Sequence, residues 1–77
     1  MVFVKELERI YMERNALHGE VSGTYSVFGQ DERLVLQIDT YGSLERKIPG
    51  KKSQTVQFDR KSAEQLFRIL KDEFGFR

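Results

Sequence analysis

Apolar and polar positions alternate with one period at the start of the chain, another through its middle and the first again at its end. Over residues 3–14 the apolar side chains Phe3, Leu7, Ile10 and Tyr11 recur at i, i+4, i+7 and i+8 with charge between them. That spacing predicts a helix with a narrow apolar stripe over residues 3–15, ended by Asn15, His18 and Gly19. From Glu20 the period becomes two. Val21, Gly23, Tyr25 and Val27 alternate with Ser22, Thr24, Ser26 and Phe28, and Gly29-Gln30-Asp31-Glu32 reads as a turn. Arg33 to Tyr41 alternates again, with Leu34, Leu36 and Ile38 on one face and Val35, Gln37, Asp39 and Tyr41 on the other. Two such runs around a short polar turn predict a hairpin with one apolar and one polar face.

Tyr41-Gly42-Ser43 breaks the strand, Leu44 to Ile48 fits a short strand, and Pro49-Gly50 is a turn signal. Ser53 to Phe58 alternates Gln54, Val56 and Phe58 with Ser53, Thr55 and Gln57, which adds a strand. Asp59 then suits an N-cap. Behind it Ala63, Leu66, Phe67, Leu70 and Phe74 lie on one helical face, and Gly75 stands where a C-terminal glycine closes a helix.

Charge changes the picture only when it is divided by segment. The net charge is +1, but residues 1–32 sum to −3 and residues 42–61 to +4. Arg46, Lys47, Lys51 and Lys52 bracket Pro49-Gly50, and Arg60 and Lys61 follow at the start of the last helix. Such a cluster attracts phosphate backbones through charge and counterion release. Single strands also need flat side chains for stacking, and Tyr25, Phe28 and Tyr41 are candidates on the strands. Ser22, Thr24, Gln37, Thr55 and Gln57 add hydroxyls and amides on the polar face. The plainer reading is that charged hairpin tips keep a protein soluble and block unwanted strand pairing.

Other chemistry finds little footing. Cysteine is absent, so disulfides and Cys-based metal sites are excluded. His18 is the only histidine and suits a helix end, where a charged ring favours the dipole. No nucleophile elbow or phosphate-binding glycine loop is present; Pro49-Gly50-Lys51-Lys52-Ser53 shares only the tail of the latter. Asp39 with Glu45-Arg46-Lys47 has the acid…acid-x-Lys order of metal-dependent nucleases, in which two carboxylates hold a divalent ion. Its rival reading is that both acids are solvated or paired with nearby cations. Lys5-Glu6 follow the apolar start at once, and no apolar run nears the roughly 20 residues of a membrane span, so a soluble protein, cytoplasmic or nucleoid-associated, is expected.

Residues 25–70, 46 of the 77, resemble the PC4-type transcriptional coactivator domain, a small fold that binds single-stranded DNA. The matching pieces are Tyr25-Ser26-Val27, the charged turn ending in Arg33, Leu34 to Tyr41, Pro49-Gly50-Lys51-Lys52, Thr55-Val56-Gln57-Phe58 and Glu64-Gln65-Leu66. Gly42 stands where the family often has Trp. The resemblance implies a homodimer packed through its C-terminal helices, with curved sheets that hold single strands. Lys51 and Lys52 match the family's basic pair and Arg33 its turn cation.

The combined expectation is one α+β domain over residues 1–77. It comprises a helix over 3–15, a curved antiparallel sheet of three to four strands over 20–58 and a helix over 60–74. Its expected function is sequence-tolerant, non-catalytic binding of single-stranded nucleic acid, as an accessory factor in transcription or DNA metabolism. Arg33, Arg46, Lys47, Lys51 and Lys52 would meet phosphates, and Tyr25, Phe28 and Tyr41 would stack. Ala63, Leu66, Phe67, Leu70 and Phe74 would form the dimer interface. No cofactor, metal or membrane is expected. The alternatives are a protein-interaction module, such as a small inhibitor or accessory subunit, and a minimal metal nuclease.

Overall fold

Period-two alternation produces strands where the sequence carries it. The computed structural model describes residues 1–42 and 52–77. Strand β1 spans Val2–Val4, β2 Gly23–Gln30, β3 Arg33–Tyr41 and β4 Lys52–Phe58, and helix α1 spans Arg60–Phe74. The four strands form one sheet in the order β1-β4-β3-β2. The expected strand at Leu44 to Ile48 and the Pro49-Gly50 turn lie outside the described residues.

Two expectations need correction. The sheet is mixed rather than wholly antiparallel, because β1 runs parallel to β4. The expected helix over 3–15 is absent: residues 2–4 are β1, and residues 5–22 form no helix or strand. An isolated helix of a dozen residues is marginal in water, and its stripe here was narrow. Val2-Phe3-Val4 is instead a β-branched and aromatic run that satisfies the open edge of β4, pairing Val2 with Val56 and Val4 with Phe58. Beyond β1 the chain runs to helix α1. The Leu7 amide donates to Gln65 Oε1 at 3.0 Å, and Arg9 reaches Glu73 at 2.6 Å. Ile10 and Tyr11 are exposed.

The expected β2–β3 hairpin forms, with Tyr25 opposite Ile38 and Ser26 opposite Gln37. Its turn is tighter than the sequence suggests, because Gly29 and Gln30 belong to β2. Asp31 and Glu32 alone cross over, at φ 52° and 62°. Positive φ at both central residues is the geometry that follows the right-handed twist of a hairpin. Asp tolerates it, whereas Glu is strained there.

Helix α1 is capped at both ends. Asp59 accepts from the Ser62 amide at 3.0 Å, while Ser62 Oγ accepts from the Asp59 amide at 3.1 Å. This reciprocal pair satisfies two orphan donors of the first turn. Gly75 closes the other end at φ 71°. The helix lies over β3 and β4 on the apolar side of the sheet. There Leu36 stands opposite Phe58, and Ile38 opposite Val56. Ala63 and Leu66 are half-buried, but Phe67, Leu70 and Phe74 are exposed. The cover stops short of β2. An open groove of about 1110 Å³ remains between α1 and the sheet, floored by Val27, Leu34, Leu36 and Phe58. Among the described residues only Val35 and Phe58 are buried apolar side chains.

Glu32→Gly should relieve the left-handed strain. The expected gain is about 1 kcal/mol, read as a higher urea midpoint with an unchanged slope. An unchanged or lower midpoint would show that the turn carries no strain at Glu32.

Candidate nucleic-acid interface

The side of the sheet away from α1 carries the polar half of each alternation. Across β2, β3 and β4 its rows read Thr24, Asp39, Thr55 and then Ser26, Gln37, Gln57. Phe28 and Val35 make the next row, beside Phe3 of β1. One carboxylate organises this surface. Asp39 is only 3% exposed, and three neighbouring side chains direct donors at it. Thr55 Oγ1 donates at 2.6 Å, Gln37 Nε2 at 3.0 Å and Lys52 Nζ lies at 3.4 Å.

An ionised carboxylate accepts only, so it fixes the direction of the chain of amides beside it. Gln37 must turn its nitrogen towards Asp39, and its Oε1 therefore faces Gln57. Gln57 Nε2 donates to that oxygen at 2.9 Å. The outcome is an oriented row of amides whose last oxygen, Gln57 Oε1, has no hydrogen-bond donor among the described residues. The Thr55 and Gln37 hydrogen bonds, with the Lys52 charge, hold the Asp39 carboxyl below its ordinary value of 3.8. At the helix start the Ser62 amide lowers Asp59 in the same way.

The structure divides the expected contact residues. Arg33, Phe28, Tyr41 and Lys52 belong to the polar face. The Arg33 guanidinium lies over the Phe3 ring, 5.8 Å from its centroid. Tyr41 shares a 2.9 Å hydrogen bond with Thr24. A register shift between Thr40 and Tyr41 sets Tyr41 opposite Lys52. Lys52 keeps about half its side chain exposed despite its ion pair. Phe28 is half-buried. Tyr25 does not join them: it stands opposite Ile38 on the apolar side, 77% exposed. Strand alternation puts odd and even positions of β2 on opposite faces, so Tyr25 lies across the sheet from Phe28 and Tyr41.

Arg46, Lys47 and Lys51 lie outside the described residues, as does Glu45 of the nuclease-like pattern. Among the described residues no group of three acids or histidines converges on a possible metal position. Asp39 itself is paired with Lys52, as the rival reading held, but it is buried and not solvated. His18 lies in no helix, so the expected helix-end role has no basis. Sequence reasoning gave Asp39 no part in organising the polar face. The signal was present, since Gln37 and Asp39 at i and i+2 face Thr55 and Gln57 at the same spacing.

Comparison with protein-family models, with curated proteins and with solved structures finds no match in any of the three.

Asp39 ties this geometry to pH. Its folded-state pKa is lower than in the unfolded chain, so its stabilising contribution is complete above about pH 4 and fades as pH falls through the lowered value. Asp39→Asn removes that titration. Its melting temperature should lie below wild type at neutral pH and fall less steeply below about pH 4, leaving the part due to Asp59. Parallel melting curves for the two proteins would contradict the role given to Asp39.

Proposed function

We propose that this domain binds single-stranded nucleic acid without sequence preference and without catalysis, as an accessory factor in transcription or DNA metabolism. One observation carries the reading. The polar face joins two cations, Arg33 and Lys52, to flat side chains, Phe28 and Tyr41, around an oriented row of amides. Phosphates would meet Lys52 and Arg33 on this face and Arg46, Lys47 and Lys51 in the connection from β3 to β4. Bases would stack on Tyr41 and Phe28 and use the amide edges of Gln37 and Gln57.

The charge arrangement supports this role. Asp39 would otherwise repel a phosphate from the middle of the face, but it is buried and paired. Lys52 keeps about half its side chain exposed, and Arg33 is a second cation on this face. The resemblance of residues 25–70 to a coactivator domain points to the same ligand. No helix among the described residues is long and apolar enough to cross a membrane.

Fluorescence anisotropy with labelled single-stranded oligonucleotides of about 20 nucleotides tests the proposal. Binding should weaken steeply with salt. Lys51→Gln with Lys52→Gln should reduce the slope of log K against log salt by about 1.4, the value for two phosphate contacts on a single strand. Absence of salt-sensitive binding at low salt would sink the reading.

A further inference from the structure

Among the described residues, strand β2 is the outer strand of the sheet and has no neighbour beyond it. It is eight residues long, Gly23-Thr24-Tyr25-Ser26-Val27-Phe28-Gly29-Gln30, with no charge and no proline. It pairs with β3 in unbroken register, so no bulge twists it away. Outer strands of monomeric proteins are normally guarded by lysines, prolines, bulges or brevity. This strand has none of these guards, whereas β1 at the opposite edge is only three residues long.

The free hydrogen-bonding groups can be assigned. The Tyr41 amide donates to the Ser22 carbonyl at 3.1 Å, so Ser22 and every second residue after it direct their main-chain groups at β3. Gly23, Tyr25, Val27 and Gly29 therefore direct theirs outward. An antiparallel partner must match that phase.

We propose that β2 pairs with β2 of a second copy across a two-fold axis at Ser26, joining two sheets into one. In that register Tyr25 of each copy lies opposite Val27 of the other, and Gly23 opposite Gly29. All four outward residues of each strand are used, giving about eight main-chain hydrogen bonds. Both Tyr25–Val27 pairs fall on the apolar side, where aromatic and β-branched neighbours favour one another. Val27 is 54% exposed in the single copy, and Leu34 beside it 67%. The strand is its own uncharged complement, as an isologous contact requires.

The state of the single copy supports this occupant. Its Cα radius of gyration is 14.7 Å, against roughly 11–12 Å for a compact chain of this length. A domain with so little buried apolar area gains from any contact that lengthens its sheet and covers Tyr25 and Val27. The pairing also sets the two polar faces side by side. It stands independently of what those faces bind.

Sedimentation equilibrium of the full chain, with three variants, tests the proposal. The wild type should be a dimer. Val27→Pro removes an outward amide that β3 does not use, so the hairpin should persist by NMR while dimer affinity drops at least tenfold. Ser26→Cys introduces the only thiol in the chain. At the two-fold axis its Cα separation would be about 4.5 Å, within disulfide range, so mild oxidation should link the dimer covalently. That link reports the register even if Val27→Pro fails to fold. A monomeric wild type would overturn the proposal and leave an extended peptide of another protein as the occupant of the edge. A dimer that survives Val27→Pro, resists the Ser26→Cys link, or dissociates only with Phe67→Glu would also overturn it, the last by moving the contact to α1.

Discussion

Helix α1 is the only regular element laid over the apolar side of the sheet among the described residues, and its reach decides the rest of the architecture. Fifteen helical residues span about 22 Å, enough to cover β3 and β4 but not β2. Beneath the helix Phe58 is buried and Leu36, Ile38 and Val56 are half-buried. Tyr25, Val27 and Leu34 stay exposed. The N-terminal segment follows from the same shortage. As a helix it would have had to find apolar cover of its own, whereas as β1 it extends the covered part of the sheet and clips residues 7 and 9 onto α1.

The polar side is stabilised differently. Its buried members, Val35, Asp39 and Thr55, are covered by side chains of the sheet itself and by Phe3 and Lys52. Asp39 is the pivot because an acceptor-only group leaves its neighbours no alternative orientation. An amide in its place could turn over, and the direction of the Gln37–Gln57 row would no longer be fixed. The cost of burying the carboxylate is offset by three donors, so Asp39 is a strut of the face and not a free anion on it.

Much of the fold was legible because the strands and the last helix carry local signals that agree with their surroundings. Alternation over 20–28 and 33–41 placed the hairpin and sorted its faces, and Asp59 and Gly75 marked the ends of α1 within a residue. The first segment was misread because Phe3, Leu7, Ile10 and Tyr11 satisfy a helical period by position alone. What decided its structure was an open strand edge more than fifty residues away, which no local pattern contains. The site was legible in kind and less so in arrangement. Arg33, Phe28 and Tyr41 share a face as the alternation required, whereas Lys52 reaches it only through the register shift between Thr40 and Tyr41. Tyr25 was grouped with them for its chemistry although its odd position put it opposite. The organising part of Asp39 was missed because it depends on Thr55 and Lys52, which only the β3–β4 register brings to it.

The central claim is that the two sides of the sheet have different tasks, with the oriented polar side as the ligand surface. NMR titration of the labelled chain with single-stranded DNA tests it most directly. The account predicts progressive shifts at Arg33, Gln37, Tyr41, Lys52 and Gln57, with the Leu36, Phe58 and Ala63 signals on the covered apolar side unmoved. Shifts centred on α1 and the groove beneath it, or no shifts at low salt, would contradict it.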